Sequence, residues 1–131
     1  MTRTIFLGEP TPRVRNIYSI VLKAQAGAIR SLKGTPRAGE IDYVARRFLA
    51  KHRLARYFTH STGHGVGLEI HERPRLGKGE SVSLRTGSVV TVEPGVYLEG
   101  FGGIRIEDTV LVRQEGPEIL TPASKEHWVV S

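Results

Sequence analysis

The stretch HSTGHGVGLEIHERP, residues 60–74, is the most informative segment of this chain. It contains three of the five histidines in the sequence, interspersed with three glycines: His60, His64, His71, Gly63, Gly65 and Gly67. Glycine allows backbone conformations and close approaches that a Cβ atom would prevent. Imidazole is the commonest metal ligand in proteins and titrates near neutral pH. The stretch therefore predicts a functional site, and the rest of the chain is interpreted around it.

Length and composition limit the class of protein. With 131 residues, 39% of them hydrophobic, the chain is long enough to bury a core, and we assign residues 1–131 to a single domain. It has no cysteine, which excludes disulfides and thiolate metal sites. No apolar run approaches the ~20 residues of a membrane span, and the apolar N-terminal segment is too short for a secretory signal. We therefore expect a cytoplasmic protein with no membrane partner.

The net charge of +6 raises the question of nucleic-acid binding. The lysines and arginines of the first half are spread mostly along two predicted helices, without aromatic residues between them that could stack on bases. This distribution is typical of a solvated helix face, and we expect no nucleic-acid partner. A second explanation is that acidic residues belonging to this fold are missing from the chain.

The first half of the sequence predicts one strand and two helices. β-Branched and aromatic residues nearly alternate in residues 2–7, which favours a strand. Thr11 is suited to an N-cap and Pro12 to the first helical position, and apolar residues then recur at three- and four-residue steps to about residue 32. After a turn rich in glycine and proline, the same spacing predicts a second helix of about three turns over 41–49.

The second half predicts antiparallel strands. Residues 88–98 and 103–112 are rich in β-branched residues and flank a glycine-rich turn, so they are interpreted as a hairpin, with a short last strand at 118–120. Helices followed by strands indicate an α+β fold, with an antiparallel sheet and two helices on one of its faces.

Two glutamates lie within these apolar strands. Glu93 ends an apolar run, and alternation places Glu107 on the same face as Arg105. A carboxylate inside a sheet is costly without a partner, and an imidazole with two carboxylates is a common ligand set for divalent metals. His64, Glu93 and Glu107 therefore form a candidate metal site. The alternative is a structural network in which Arg105 and the histidines pair with these acids.

Three motifs resemble the C-terminal signatures of the pita-bread metallopeptidases, the family of methionine aminopeptidase, aminopeptidase P and prolidase. They are residues 60–74, TVEPGVY at 91–97 and GGIRIEDTVLV at 102–112, in the order and with the spacing of that family. The resemblance implies the C-terminal portion of a pita-bread, creatinase/aminopeptidase-like domain. It also implies a hydrolase that uses two divalent metal ions, for which manganese, cobalt and zinc are candidates.

The same resemblance implies roles for individual residues. His64, Glu93 and Glu107 would be metal ligands, and Glu93 would also transfer the proton of the attacking water. His60 and His71 would bind substrate and steady the tetrahedral intermediate. The histidine four residues before His64 and the arginine at position 105 are similar to the proline-specific branch, aminopeptidase P and prolidase. The implied substrates are proline-containing peptides cleaved at the Xaa-Pro bond, with Arg105 as a further substrate-binding residue.

One departure from the family concerns the N-terminus. Proline-specific members carry two aspartate ligands just before a Thr-Arg-Thr segment, whereas this chain begins with Met1 followed by that segment. We therefore expect a truncated catalytic domain that binds at most one metal ion and has little activity alone. A non-catalytic pita-bread binding module is the alternative, as is a new site formed between two chains. An open strand edge near residues 2–7 predicts a homo-oligomer.

Overall fold

The computed structural model describes residues 1–126 and 128–130, without the side chain of residue 128. It contains two helices and several short strands, in the order that the sequence predicts. In chain order the elements are β1 (Ile5–Leu7), α1 (Pro12–Arg30), α2 (Ala38–Lys51), β2 (Gly63–Gly65), β3 (Glu72–Leu76), β4 (Val89–Val92), β5 (Gly95–Leu98), β6 (Gly102–Arg105), β7 (Asp108–Leu111), β8 (Glu118–Ile119) and β9 (Trp128–Val130).

Helix α1 begins as the sequence predicts. The Thr11 hydroxyl accepts a hydrogen bond from the Val14 amide at 3.4 Å, and Pro12 takes the first helical position, where its missing N–H costs nothing. The helix ends at Arg30, two residues before the predicted end. Its apolar stripe is buried, and it also buries one polar residue, Gln25.

Helix α2 is longer than the predicted 41–49, because it begins at Ala38. The first two backbone amides of α2 donate hydrogen bonds to carbonyl oxygens of a distant segment. Ala38 N donates to Val82 O at 2.8 Å, and Gly39 N donates to Glu80 O at 3.0 Å. A Cβ atom at Gly39 would lie 2.6 Å from Glu80 O, so this approach requires glycine. The sequence predicts a turn at this point. The helix start depends on a tertiary contact, which local periodicity does not show.

The predicted hairpin of 88–98 and 103–112 forms, but each of its strands is divided. β4 pairs with β7 in one sheet, while β5 pairs with β6 in a separate ribbon. Pro94 lies at the division, and proline cannot donate a ladder hydrogen bond. The register is nevertheless the same on both sides of it, with the pairs Val89–Leu111, Val92–Asp108, Gly95–Arg105 and Leu98–Gly102. We call residues 93–94 and 106–107 the hairpin break.

The main sheet has the strand order β3-β2-β4-β7-β8. Strand β2 comes from the histidine- and glycine-rich stretch of residues 60–74, and it pairs antiparallel with both β3 and β4. Strand β8 confirms the predicted strand at 118–120. The two helices pack against each other, α1 also contacts β4 and β6, and α2 contacts β3. The predicted α+β class is therefore confirmed.

The N-terminal strand is shorter than predicted. Within residues 2–7, only β1 forms a strand, and it pairs in parallel with β9 from the C-terminal tail. One edge of β1 is thus covered. Thr2 makes a separate bridge to Glu107. Neither helix is long and apolar enough to cross a membrane, and this holds for all of the described residues.

Candidate functional site

The candidate site lies at the hairpin break, next to β2. The register on both sides of the break places Glu93 directly opposite Glu107. Their side chains are only 16% and 13% exposed. Like charges opposite each other on paired strands destabilise a sheet. The arrangement therefore favours a positive group close to these two carboxylates.

His64 is held on β2 with both ring nitrogens in use. Its Nδ1 lies 2.9 Å from Gly65 O, and its Nε2 lies 3.1 Å from Glu93 Oε1. A carbonyl oxygen only accepts hydrogen bonds, so Nδ1 carries the hydrogen. Nε2 then faces the Glu93 carboxylate with a lone pair unless a proton or another cation lies between them. Metal-binding histidines commonly hold their second nitrogen in this way.

Thr91, buried on β4, links His64 to Glu93. Its hydroxyl donates to Glu93 Oε1 at 3.0 Å and accepts from the His64 amide at 3.0 Å. Gly63 lets β2 come this close, since a Cβ atom there would lie 1.8 Å from Thr91 O. The sequence interpretation missed Thr91, although its place two residues before Glu93 in the TVEPGVY motif could have indicated it.

Glu107 is bound from the N-terminal segment. The Thr2 hydroxyl donates to its carboxylate, and the amino group of Met1 lies 3.4 Å from Oε1. The Glu107 amide in turn donates to Thr2 O at 3.0 Å. The N-terminal residues therefore orient the second carboxylate of the break, a contact between distant parts of the chain that has no local sequence signal.

A second cluster joins two of the predicted substrate-binding residues. The Nε2 of His60 lies 3.2 Å from the Tyr97 hydroxyl, and Arg105 Nη1 lies 3.3 Å from the same oxygen. Burial alone would lower the pKa of Arg105. The hydrogen bond with Tyr97 and the attraction of Glu93 and Glu107 outweigh that effect and raise this pKa above its ordinary value. Tyr97, which the sequence interpretation missed, thus connects this cluster.

His71 is exposed, and its ring centroid lies 4.4 Å from that of His64. Both rings border a cleft of about 820 Å³, which is large enough for a short peptide. Three arginines also line this cleft, namely Arg73, Arg75 and Arg85. His71 is therefore placed where it can contact a molecule bound next to His64.

The predicted site residues thus fall into three groups. His64 contacts Glu93 and His71, His60 is joined to Arg105 through Tyr97, and Glu107 is bound to the N-terminal segment. Among the described residues, no three histidine, aspartate or glutamate side chains converge on one point. The His64–Glu93 pair nevertheless suits a divalent cation, because an imidazole nitrogen lone pair facing a carboxylate is a usual N/O donor set. Glu107 lies opposite Glu93 in register.

Comparison with known proteins gives one clear family. The sequence pattern of metallopeptidase family M24 matches residues 1–114. The chain is 46% identical to an Xaa-Pro dipeptidase of Pyrococcus horikoshii over 126 residues, which cover 96% of this chain and 36% of the relative. The chain therefore spans about a third of the length of such relatives.

Solved structures give the same result. The fold matches an Xaa-Pro dipeptidase of Bacillus anthracis with a TM-score of 0.95 and 44% identity, over 98% of this chain and 36% of that one. It matches an X-Pro aminopeptidase of Thermotoga maritima with a TM-score of 0.94 and 42% identity, again over 98% and 36%. The resemblance that the three motifs indicated is confirmed, and these neighbours have the pita-bread type of fold.

Proposed function

Because this chain belongs to metallopeptidase family M24, we propose that it forms part of a metal-dependent site that hydrolyses Xaa-Pro bonds in short peptides. The contact of His64 with Glu93, at a point where Glu107 lies opposite in register, is the observation that carries the proposal. The Xaa-Pro dipeptidases and the X-Pro aminopeptidase among the relatives support the substrate class.

His64, Glu93 and Glu107 are the residues that would hold the metal, with manganese, cobalt or zinc as candidates. When bound, a divalent ion lowers the pKa of water and polarises a peptide carbonyl. Glu93 is suited to accept a proton from the attacking water, because among the described residues the Thr91 hydroxyl is the one side chain that donates to its carboxylate, while His64 faces it with Nε2.

The remaining residues are proposed to bind the peptide. His60 and His71 would bind the substrate and steady the tetrahedral intermediate of the hydrolysis. The Arg105 guanidinium donates a hydrogen bond to the Tyr97 hydroxyl, which also contacts His60. The positive charge of Arg105 therefore belongs to the same cluster as His60. The cleft that His64 and His71 line gives a peptide of two or three residues access to these two imidazoles.

Metal binding provides the first test. We expect this chain to bind at most one manganese ion, and to bind it weakly. Titration calorimetry should show that Glu93→Gln lowers the affinity at least ~10-fold. Glu99→Gln, on the exposed turn of the same hairpin, is the matched control.

Two tightly bound ions per chain would contradict the expected stoichiometry, unless a second copy supplies ligands. Absence of binding would favour the alternative, a non-catalytic binding module. One observation is compatible with that alternative, namely that no three donor side chains converge among the residues the structure describes.

Activity provides the second test. We expect the 131-residue chain to show little Xaa-Pro hydrolysis with added manganese. Joining it to the unmatched part of the Pyrococcus horikoshii relative should restore hydrolysis, and Glu93→Gln in that chimera should abolish it. Rapid hydrolysis by the short chain itself, lost in Glu93→Gln, would instead show that the short form is a complete enzyme.

We further propose that the protein is cytoplasmic, folds as one domain and forms a homo-oligomer. Exposed apolar side chains on β1 and on the β5–β6 ribbon support association, with Ile5, Leu7 and Phe101 being 55%, 89% and 42% exposed. Light scattering at low micromolar concentration should give at least the mass of a dimer. A stable monomer that binds no exposed-surface dye would contradict this proposal.

A further inference from the structure

We propose that Asp42, Arg46 and Thr62 form a clamp that positions His60. The three side chains, called here the Asp42 clamp, connect helix α2 to the segment that carries His60 and leads into β2. None of them lies among the candidate ligands or substrate-binding residues. The inference rests on the proposed function only in taking His60 as a substrate-binding residue.

Asp42 is the buried centre of the clamp. It is only 1% exposed, and its Oδ1 accepts hydrogen bonds from the Thr62 amide at 3.2 Å and from the Thr62 hydroxyl at 3.0 Å. Arg46 binds the same carboxylate through Nε at 2.8 Å and Nη2 at 2.9 Å. A buried carboxylate needs such partners. The clamp thus fixes the backbone of Thr62, two residues from His60.

Arg46 extends the clamp to His60 itself. Its Nη1 donates to Phe58 O at 2.8 Å and its Nη2 to His60 O at 2.9 Å. Its guanidinium carbon lies 4.2 Å from the centroid of the Phe58 ring, and that ring packs edge-on against His60 at 5.0 Å. Arg46 therefore fixes the backbone on both sides of residue 59 and the aromatic surface next to the imidazole.

The position of His60 matters because its Nε2 lies 3.2 Å from the Tyr97 hydroxyl, which belongs to the separate β5–β6 ribbon. Its other nitrogen, Nδ1, lies 2.8 Å from Ser61 O, a backbone atom within the clamped segment. A shift of this backbone would separate His60 from Tyr97. The planar, forked guanidinium can reach a carboxylate and two carbonyls at once, whereas a lysine ammonium on the same helix position cannot.

Arg46→Lys is the decisive variant. It keeps a positive charge beside buried Asp42 but lacks the forked guanidinium that bonds the carboxylate and the two carbonyls together. The readout is the nuclear magnetic resonance signals of the His60 and Tyr97 rings and the nuclear Overhauser contact between them, in the apo protein. Arg47→Lys is the matched control, since Arg47 is the next residue on α2, is exposed, and has its guanidinium carbon 5.8 Å from the centroid of the Tyr43 ring rather than beside Asp42. Arg46→Met removes the charge as well.

We expect Arg46→Lys to shift the His60 and Tyr97 signals and to lose the contact between them, with the His71 signals unchanged. Arg47→Lys should alter none of them. A folded Arg46→Lys protein that keeps the His60–Tyr97 contact would overturn the proposal, as would a variant in which His60 and His71 shift together. If Arg46→Met fails to fold, the Arg46→Lys result alone still tests the proposal. The readout needs no metal or substrate, so it is independent of whether the proposed peptidase function fails.

Discussion

The buried aspartates and the glutamates of the hairpin break differ in how their charges are balanced. Asp108 accepts hydrogen bonds from Arg3 at 2.7 Å and Gln25 at 2.7 Å and is also paired with Lys125. Asp42 is similarly paired with a guanidinium. Among the described residues, the carboxylates of Glu93 and Glu107 form no ion pair with a lysine or arginine side chain, and Arg105 attracts both without pairing with either. Their direct partners are threonine hydroxyls, the His64 imidazole and the N-terminal amino group.

This difference separates structural acids from candidate functional ones. A buried carboxylate that is saturated by permanent cations stabilises the fold and has little capacity left for a ligand. Glu93 and Glu107 lie opposite each other with fewer and weaker partners, so their lone pairs remain available to a divalent ion. The predictions below test this division, beginning with the largest expected effect.

Removing a structural acid should destabilise the protein strongly. Asp108→Ala would leave Arg3 and Lys125 without their buried partner, and breaking such a pair costs about 3–5 kcal/mol. Urea unfolding should show this loss in the free energy of unfolding. Glu9→Gln is the control, because the exposed Glu9–Arg15 pair, at 72% and 54% exposure, should contribute less than ~1 kcal/mol. A loss for Asp108→Ala no larger than that of the control would contradict the division.

Asp108 should also affect how steeply the free energy of unfolding falls at low pH. Burial alone would raise the pKa of Asp108, but hydrogen bonds from Lys125, Gln25 and Arg3 outweigh it and hold this pKa below its ordinary value. The folded pKa is therefore depressed, so the contribution of Asp108 to stability is present above about pH 4 and is lost as the pH falls further. Unfolding free energies measured from pH 6 to pH 2 should fall less steeply for Asp108→Asn than for the natural sequence; parallel curves would refute the assignment.

Removing a site acid should have the smallest effect on the apo protein. Glu93→Gln relieves the repulsion between opposed carboxylates, which is worth about 0.2–1 kcal/mol, so the stability should be unchanged or slightly higher. With manganese at about ten times the dissociation constant of the natural sequence, that sequence should gain about 1.4 kcal/mol and Glu93→Gln no more than about 0.4 kcal/mol. Thermal unfolding with and without manganese measures both effects. A strongly destabilised apo variant would place Glu93 among the structural acids.

Much of the fold and of the candidate site could be predicted from local patterns. The Thr11–Pro12 start of α1, the hairpin and the strand at 118–120 follow from capping, periodicity and turn residues, which act within a few positions. The residue types of the three motifs identified the family. Thr91 and Tyr97 were within these motifs but were not singled out, because a hydroxyl on a strand has no chemistry of its own to distinguish it.

The sequence by itself therefore determined the class of fold, the family, and the residue types available to a metal and a peptide. Only the tertiary structure decided which of those residues meet. The start of α2 depends on a segment about forty residues away, β1 pairs with the C-terminal strand, and Thr2 binds Glu107 across the chain. Helix and strand propensities act between near neighbours in the sequence. The partners of buried charges and unpaired backbone groups depend instead on which distant segments pack beside them.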